Sequence, residues 1–197
     1  MAHPGRSAFQ AGGLIVFLAG EHCGHCEEPP SRLRSTSRDV RRQYTCAVAE
    51  SDQRESGAVR RGPFWEVLEG RRDPPSAAVL LGWKLASVDP SAETIEVLFT
   101  ATEQFLNPAG DVQGGFLAAM LDDTLGPALV ATLEDGQWAP TIDLQIQFLR
   151  PVKPGVLRGF GRVVRRGKGV AFLAGELQRA DGAVVATATA SAMIRTR

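Results

Sequence analysis

Two adjacent aspartates, Asp122 and Asp123, lie within an apolar segment that begins at Gly114 and is rich in Ala, Leu and Met. A carboxylate inside an apolar helix is unfavourable unless it is hydrogen-bonded or its pKa is raised. Neighbouring residues lie about 100° apart around a helix, so the two carboxylates cannot share one site. We therefore expect one to be a general base or nucleophile. The other is expected at the helix edge, exposed or bonded to Thr124 or an arginine.

The start of this segment offers a second chemical group. Gly114 and Gly115 follow Gln113 at the predicted N-terminus of the helix. Glycines there allow a ligand to approach exposed backbone N–H groups at the positive end of the helix dipole. Such N–H groups can stabilise an oxyanion. Glycines that permit close packing against a strand explain the same pattern without a function.

The residue types that are missing narrow the choice of chemistry. Every His, Cys and Tyr of the chain precedes residue 50, so residues 62–197 contain none of them. A Cys–His pair, a Ser–His–Asp triad and a histidine-based metal site are therefore excluded from this part of the chain. Acid–base or nucleophilic work is left to a carboxylate or a lysine.

Composition restricts the class of partner and the location. The 22 basic and 22 acidic side chains balance, which argues against a polyanion such as nucleic acid and against an anionic membrane surface. No apolar run approaches the length of a membrane-spanning helix. An odd count of three cysteines without disulfide-framework spacing favours a reducing cytoplasm.

The first 60 residues differ in character from the rest. Residues 27–61 are rich in Arg, Ser, Glu and Pro without helical or strand periodicity, which predicts a disordered or weakly ordered extension over residues 1–60. Cys23 and Cys26 have a C-x-x-C spacing, with His22 or His25 and Cys46 as further ligand candidates for zinc. No second close pair accompanies them, so accidental cysteines in a tail are the favoured interpretation and no metal is expected.

From residue 61 onward the pattern predicts one α+β domain. Apolar spacing predicts a short helix at 64–68, strands at 79–88 and 94–100, and a long helix at 114–133. Four strands follow, at 141–149, 156–164, 170–178 and 183–194, joined by short turns that require antiparallel pairing. In the first of these, Ile142, Leu144, Ile146 and Phe148 are predicted to face inward. Because the helix is too apolar to face water, we expect the sheet to curl around it.

Residues 61–197 resemble the hotdog fold and, within it, the phenylacetate-pathway (PaaI-like) branch of acyl-CoA thioesterases. That family has an Asn-x-x-Gly-x-x-His-Gly-Gly motif, an acid nine residues after the His, and a Ser or Thr two residues before an Asp in the next strand. The matching positions here are Asn107, Gly110, Gln113-Gly114-Gly115, Asp122, and Thr141 with Asp143.

The resemblance implies a role for each of these residues. Asp122 becomes the general base or nucleophile, and the Gly114 N–H polarises the thioester carbonyl. Asn107 and Thr141 help to position water and the carboxylate, and Asp123 is left as a structural neighbour. Gln113 stands where the family usually has His, and its amide keeps a donor and an acceptor but cannot titrate.

The resemblance also implies the partners. The substrate is an acyl-CoA, with coenzyme A entering only as part of it, and the assembly is a homodimer or a homotetramer whose site is shared between protomers. The turn "RRGKG" offers three cations for the phosphates of coenzyme A. They are Arg165, Arg166 and Lys168. A solvated basic hairpin is the alternative explanation for this turn.

Three functions fit these observations. The first is hydrolysis of a small aryl- or aliphatic acyl-CoA to the free acid and coenzyme A. The second is a noncatalytic acyl-CoA-binding sensor or carrier, in which Gln113 marks lost turnover. A hotdog hydratase or dehydratase is the third, and it would favour the titratable histidine that this domain lacks.

Overall fold

A computed structural model of the protein describes residues 61–196. The predicted extension over residues 1–60, with its candidate zinc ligands, lies outside them. Within the described range the helices are α1 (Pro63–Leu68), α2 (Ser76–Leu81) and α3 (Gly114–Val130). The strands are β1 (Lys84–Asp89), β2 (Thr94–Ala101), β3 (Gln137–Trp138), β4 (Thr141–Phe148), β5 (Gly155–Arg166), β6 (Val170–Arg179), β7 (Val184–Met193) and β8 (Arg195–Thr196).

Six of the strands form one antiparallel sheet. Its order is β1-β2-β5-β6-β7-β4, and β3 and β8 form a separate two-stranded ribbon. Short turns join β1 to β2, β5 to β6 and β6 to β7, as antiparallel pairing requires. Strand β4 follows the long helix and pairs with β7, so one side of β4 is an edge of the sheet.

Helix α3 packs against the sheet through its inner face. Thr124 is completely buried there and lies against two glycines of β5. A Cβ added to Gly159 would lie 2.4 Å from the Thr124 Oγ1, and one added to Gly161 would lie 3.0 Å from the Thr124 Cγ2. Side chains at these positions would push the helix away, so the glycines set its distance from the sheet. The predicted hotdog fold, an antiparallel sheet curved around a long helix, is confirmed.

The first predicted strand is partly wrong. Residues 79–81 belong to helix α2, and β1 starts only at Lys84. Gly82 ends the helix in the left-handed conformation with φ of 63°. A Cβ there would lie 2.8 Å from the Thr100 Cβ. Both the positive φ and the lack of space therefore favour glycine at this turn. Five apolar residues in a row carry no period that separates a short helix from a strand.

The burial predicted for the apolar face of β4 is found only in the middle of the strand. Leu144 and Ile146 are half-buried, but Ile142 and Phe148 are each 55% exposed. Ile142 lies at an irregularity in the pairing with β7, and within residues 61–196 no strand pairs with the other side of β4. Apolar alternation identifies the strand, but it does not reveal that the strand is at the edge of the sheet.

None of the helices formed by residues 61–196 is both long enough and apolar enough to cross a membrane.

Candidate active site

Asp122 projects from the middle of helix α3 and is exposed. The Thr141 hydroxyl donates a hydrogen bond to its Oδ1 at 3.0 Å. Thr141 is the first residue of β4, and packing of that strand beside α3 brings together two residues that are 19 positions apart. The carboxylate is thus held by one O–H donor while the rest of it stays open to solvent. A carboxylate in this state can accept a proton from water or attack a carbonyl carbon.

Asp123 has the opposite environment. It is half-buried, and its Oδ2 is buried without a hydrogen-bond partner within residues 61–196. Burial, together with the smaller effect of the negative charge of Asp122, raises the pKa of this carboxyl from 3.8 to about 6. Its backbone carbonyl accepts a hydrogen bond from the Trp83 Nε1 at 2.9 Å. The two aspartates thus have different surroundings, but Asp123, the expected structural neighbour, is not exposed at the helix edge. Nor is it bonded to Thr124, whose hydroxyl donates to the Met120 carbonyl instead.

Helix α3 begins with exposed backbone donors. Gln113 is its N-cap residue, and the Gln113 side chain, which is exposed, makes no capping hydrogen bond. Gly114 and Gly115 follow as the first two helical residues. The first N–H groups of a helix have no carbonyl partner within it. The N–H groups of Gly114 and Gly115 thus have no intrahelical partner, and their use as oxyanion donors stays a prediction.

The loop before the helix is organised by its own polar groups. The Asn107 Oδ1 accepts hydrogen bonds from the backbone N–H groups of Ala109 (2.8 Å) and Asp111 (3.2 Å). Lys153 closes the loop from outside. Its Nζ donates to the Gly110 carbonyl at 2.9 Å and forms an ion pair of the same length with Asp111. The side-chain oxygen of Asn107 thus holds the loop that leads to Gly114 in shape. Lys153, which also holds this loop, is a residue that the sequence motif did not reveal.

The structure does not bring the Gly114 N–H and the Asp122 carboxylate close together within one chain. Gly114 and Asp122 are on the same helix, eight residues apart. At 1.5 Å per residue this places them about 12 Å apart along the helix axis. A nucleophile and an oxyanion donor must both lie about 3 Å from the same thioester carbonyl. Within one copy of the chain, these two groups are therefore too far apart to act on the same carbonyl.

The cations of the turn between β5 and β6 differ in exposure and in hydrogen bonding. Arg165 and Lys168 are exposed. Arg166 is half-buried, and its guanidinium donates to the Thr132 carbonyl at 2.6 Å, just beyond the C-terminus of α3. It stabilises the negative end of the helix. A cleft of about 450 Å³ lies beside it, at the opposite end of the helix from Gly114, and is lined in part by Thr132 and Trp65.

Comparison with known proteins places the chain in a family. Residues 109–186 match the model of the thioesterase superfamily. A protein of Saccharolobus solfataricus that bears the name of an esterase is 30% identical over 108 residues, which cover 55% of this chain and 75% of the relative. The chain belongs to the thioesterase superfamily. The protein is a thioester hydrolase with the hotdog fold.

Solved structures place this thioesterase in the PaaI-like branch. A phenylacetic acid degradation-related protein of Ralstonia eutropha is 47% identical, with a TM-score of 0.64, over 66% of this chain and 98% of that one. The PaaI protein of Escherichia coli, from the phenylacetic acid degradation operon, is 26% identical, with a TM-score of 0.56, over 60% and 83%. The family recognised in the sequence is thereby confirmed.

Proposed function

We propose that this thioesterase hydrolyses a small aryl- or aliphatic acyl-CoA, with Asp122 as the acid–base or nucleophilic group. The observation that carries this proposal is the hydrogen bond from the Thr141 hydroxyl to the Asp122 Oδ1. It fixes an exposed carboxylate in the part of the chain that has no His, Cys or Tyr to do the same work.

The reaction follows from the charges that must form and disappear. Asp122 accepts a proton from water as the water oxygen attacks the thioester carbonyl carbon, or attacks that carbon itself and is then released by water. The carbonyl oxygen becomes negative and is stabilised by the Gly114 N–H. When the C–S bond breaks, coenzyme A leaves as the thiolate. It takes up the proton that Asp122 accepted from water in the first route, and a proton from solvent in the second. Thr141 holds the carboxylate in one orientation throughout.

The assembly that this reaction needs contains two copies of the chain. The Asp122 carboxylate and the Gly114 N–H are about 12 Å apart along one helix, so the acid of one protomer must act with the glycine of its partner. Strand β4 supplies a suitable edge, because Thr141 begins it and Phe148, beside Gly114, ends it. Antiparallel pairing of two β4 strands about a twofold axis would bring the Thr141 end of each toward the Phe148 end of the other.

Supporting roles follow from the geometry of the loop and the hairpin. Asn107 keeps the loop in shape, and the exposed Gln113 amide is free to hydrogen-bond the substrate but cannot supply a positive charge. Arg165 and Lys168 are the cations that we assign to the phosphates of coenzyme A. Arg166, which contacts Thr132, is assigned instead to holding the end of the helix.

Release of free thiol from phenylacetyl-, benzoyl-, hexanoyl- and palmitoyl-CoA tests the reaction. The wild type is expected to hydrolyse at least one of them, and Asp122→Asn is expected to lose that activity while still binding the substrate. Asp123→Asn is the matched control, because it removes the neighbouring carboxylate of the same helix. Saturable binding without hydrolysis by the wild type would contradict the proposal and favour an acyl-CoA-binding protein.

Mixing two inactive variants tests the shared site. Gly114→Pro removes the N–H donor, and proline is well tolerated at the first helical position. Gly114→Ala keeps the donor and controls for the added carbon. If Asp122→Asn and Gly114→Pro exchange subunits at random, half of the dimers are mixed and each has one intact site, so about a quarter of wild-type activity should return. A mixture that exchanges subunits but remains inactive would place both groups in one protomer.

A further inference from the structure

The side chain of Phe148 lies against the start of helix α3. A Cβ added to Gly114 would lie 3.2 Å from the Phe148 Cζ and 3.4 Å from both of its Cε atoms. The tip of the ring therefore lies where a side chain at position 114 would point. Phe148 is the last residue of β4 and pairs with Ala186 of β7, so its backbone is held by the sheet.

This ring is poorly covered for an aromatic residue next to a helix. Phe148 is 55% exposed, whereas Phe105, which also lies close to the start of α3, is 2% exposed. Phe105 stacks on Phe116 with ring centroids 4.1 Å apart and an angle of 15° between the planes. Phe105 is thus covered by its stacking partner and by the core. Phe148 leaves an aromatic surface open immediately beside the backbone of Gly114.

We propose that Phe148 determines which acyl groups the enzyme accepts, by forming the wall of the acyl site at the carbon next to the thioester carbonyl. The inference rests on the proposed role of the Gly114 N–H. When that N–H binds the carbonyl oxygen, the adjacent carbon of the acyl group is one bond from the carbonyl carbon. The ring, which a methyl group on Gly114 would have to push aside by a few tenths of an ångström, also restricts substituents on that carbon.

Acyl groups with an unbranched carbon beside the carbonyl fit against the ring, and groups branched at that carbon collide with it. Discrimination of one methyl group by an apolar site is about 10- to 200-fold in kcat/KM. Butyryl-CoA and isobutyryl-CoA are the sharpest pair of probes, because they are isomers and only the second is branched at the carbon beside the carbonyl. The wild type is expected to prefer butyryl-CoA.

The test is the ratio of kcat/KM for isobutyryl-CoA to that for butyryl-CoA. Phe148→Ala is expected to raise this ratio about tenfold, and Phe148→Leu, which keeps more of the volume, should raise it less. Val156→Ala is the matched control, since Val156 is a strand residue with a similar exposure of 53%. Its neighbour Leu157 is buried against the core, so Val156 faces outward and the ratio should not change.

The outcomes separate this inference from the proposed function. Hydrolysis of both probes with the same ratio in the wild type and in Phe148→Ala would overturn the role of Phe148 and leave the acyl-CoA thioesterase intact. A change of the same size in Val156→Ala would also overturn it, because the effect would not be local. Absence of hydrolysis of every acyl-CoA by the wild type would overturn the proposed function and, with it, this inference.

Discussion

The two faces of helix α3 differ in how they are built. On the inner face, the Thr124 side chain lies directly against Gly159 and Gly161 of strand β5. On the outer face, Asp122 is exposed and accepts a hydrogen bond from Thr141 of the sheet. The comparison indicates that the helix is fixed by close packing of the Thr124 side chain on glycine backbone, which leaves its outer face free to carry a reactive group at a defined position.

The largest effect is expected on the outer face. Asp122→Asn should lower the rate of thiol release by about 10²- to 10⁴-fold, because the amide cannot accept the proton from water. Its free energy of unfolding should change by no more than about 0.5 kcal/mol, since the side chain is exposed. Steady-state kinetics and urea denaturation measure the two quantities. An equal loss of activity in Asp123→Asn would remove the distinction between the two aspartates.

The inner face should respond in the opposite way. Gly159→Ala places a methyl group 2.4 Å from the Thr124 Oγ1 and should lower the free energy of unfolding by about 3 kcal/mol. Gly126→Ala is the control, because nothing lies within 4 Å of an added Cβ at that helical glycine. It should leave stability unchanged or raise it by up to about 1 kcal/mol. Urea denaturation that gives similar values for the two variants would contradict the packing argument.

Asp123 is half-buried between the two faces of the helix. Because its pKa is raised on folding, it should make the free energy of unfolding depend on pH. Its pKa is about 6 in the folded state and near 3.8 in the unfolded chain, so the folded state binds the proton more tightly. That contribution to stability is fully present below about pH 4 and is lost as the pH rises through 6. For a partly exposed group we expect a loss of about 2 kcal/mol.

Asp123→Asn removes this titration. The variant should therefore gain stability over the wild type between about pH 4 and pH 7. Urea denaturation of both proteins across this range measures the difference, and the other carboxyl groups cancel in it. A difference that stays constant with pH would show that Asp123 does not titrate as described.

The smallest effect is expected from the hydrogen bond that joins the outer face of the helix to strand β4. Thr141→Ala removes the hydrogen bond to the Asp122 Oδ1 and should lower kcat about tenfold, which corresponds to the loss of one hydrogen bond to a charged group. Thr141→Ser retains the hydroxyl and should restore most of the rate. Full activity in the alanine variant would remove Thr141 from the site.

The parts of this site that a sequence can predict are those that depend on spacing. The long apolar helix, its glycine start and the aspartate nine residues after Gln113 are all local patterns. The strand that begins at Thr141 is identified by its apolar alternation. The pairing of Thr141 with Asp122 came from resemblance to a family, since no local rule joins residues 19 positions apart.

Other features depend on contacts that no local pattern encodes. Lys153 reaches the Gly110 carbonyl across 43 positions, and Arg166 reaches Thr132 across 34. The sequence could show that these residues are cations, but it could not show that one closes a loop and the other holds a helix end. Ile142 was misassigned for a related reason, because its exposure depends on the place of β4 in the sheet.

The hydrogen bond from Trp83 to the Asp123 carbonyl has an optical consequence. The indole is buried and attached to the turn of helix that carries both aspartates. Indole emission responds to polarity, so Trp83 is a built-in fluorophore adjacent to the candidate active site. Replacing the exposed Trp138 with Phe would reduce the background emission. Movement of that helical turn when an acyl-CoA binds could then be followed in real time without an added label.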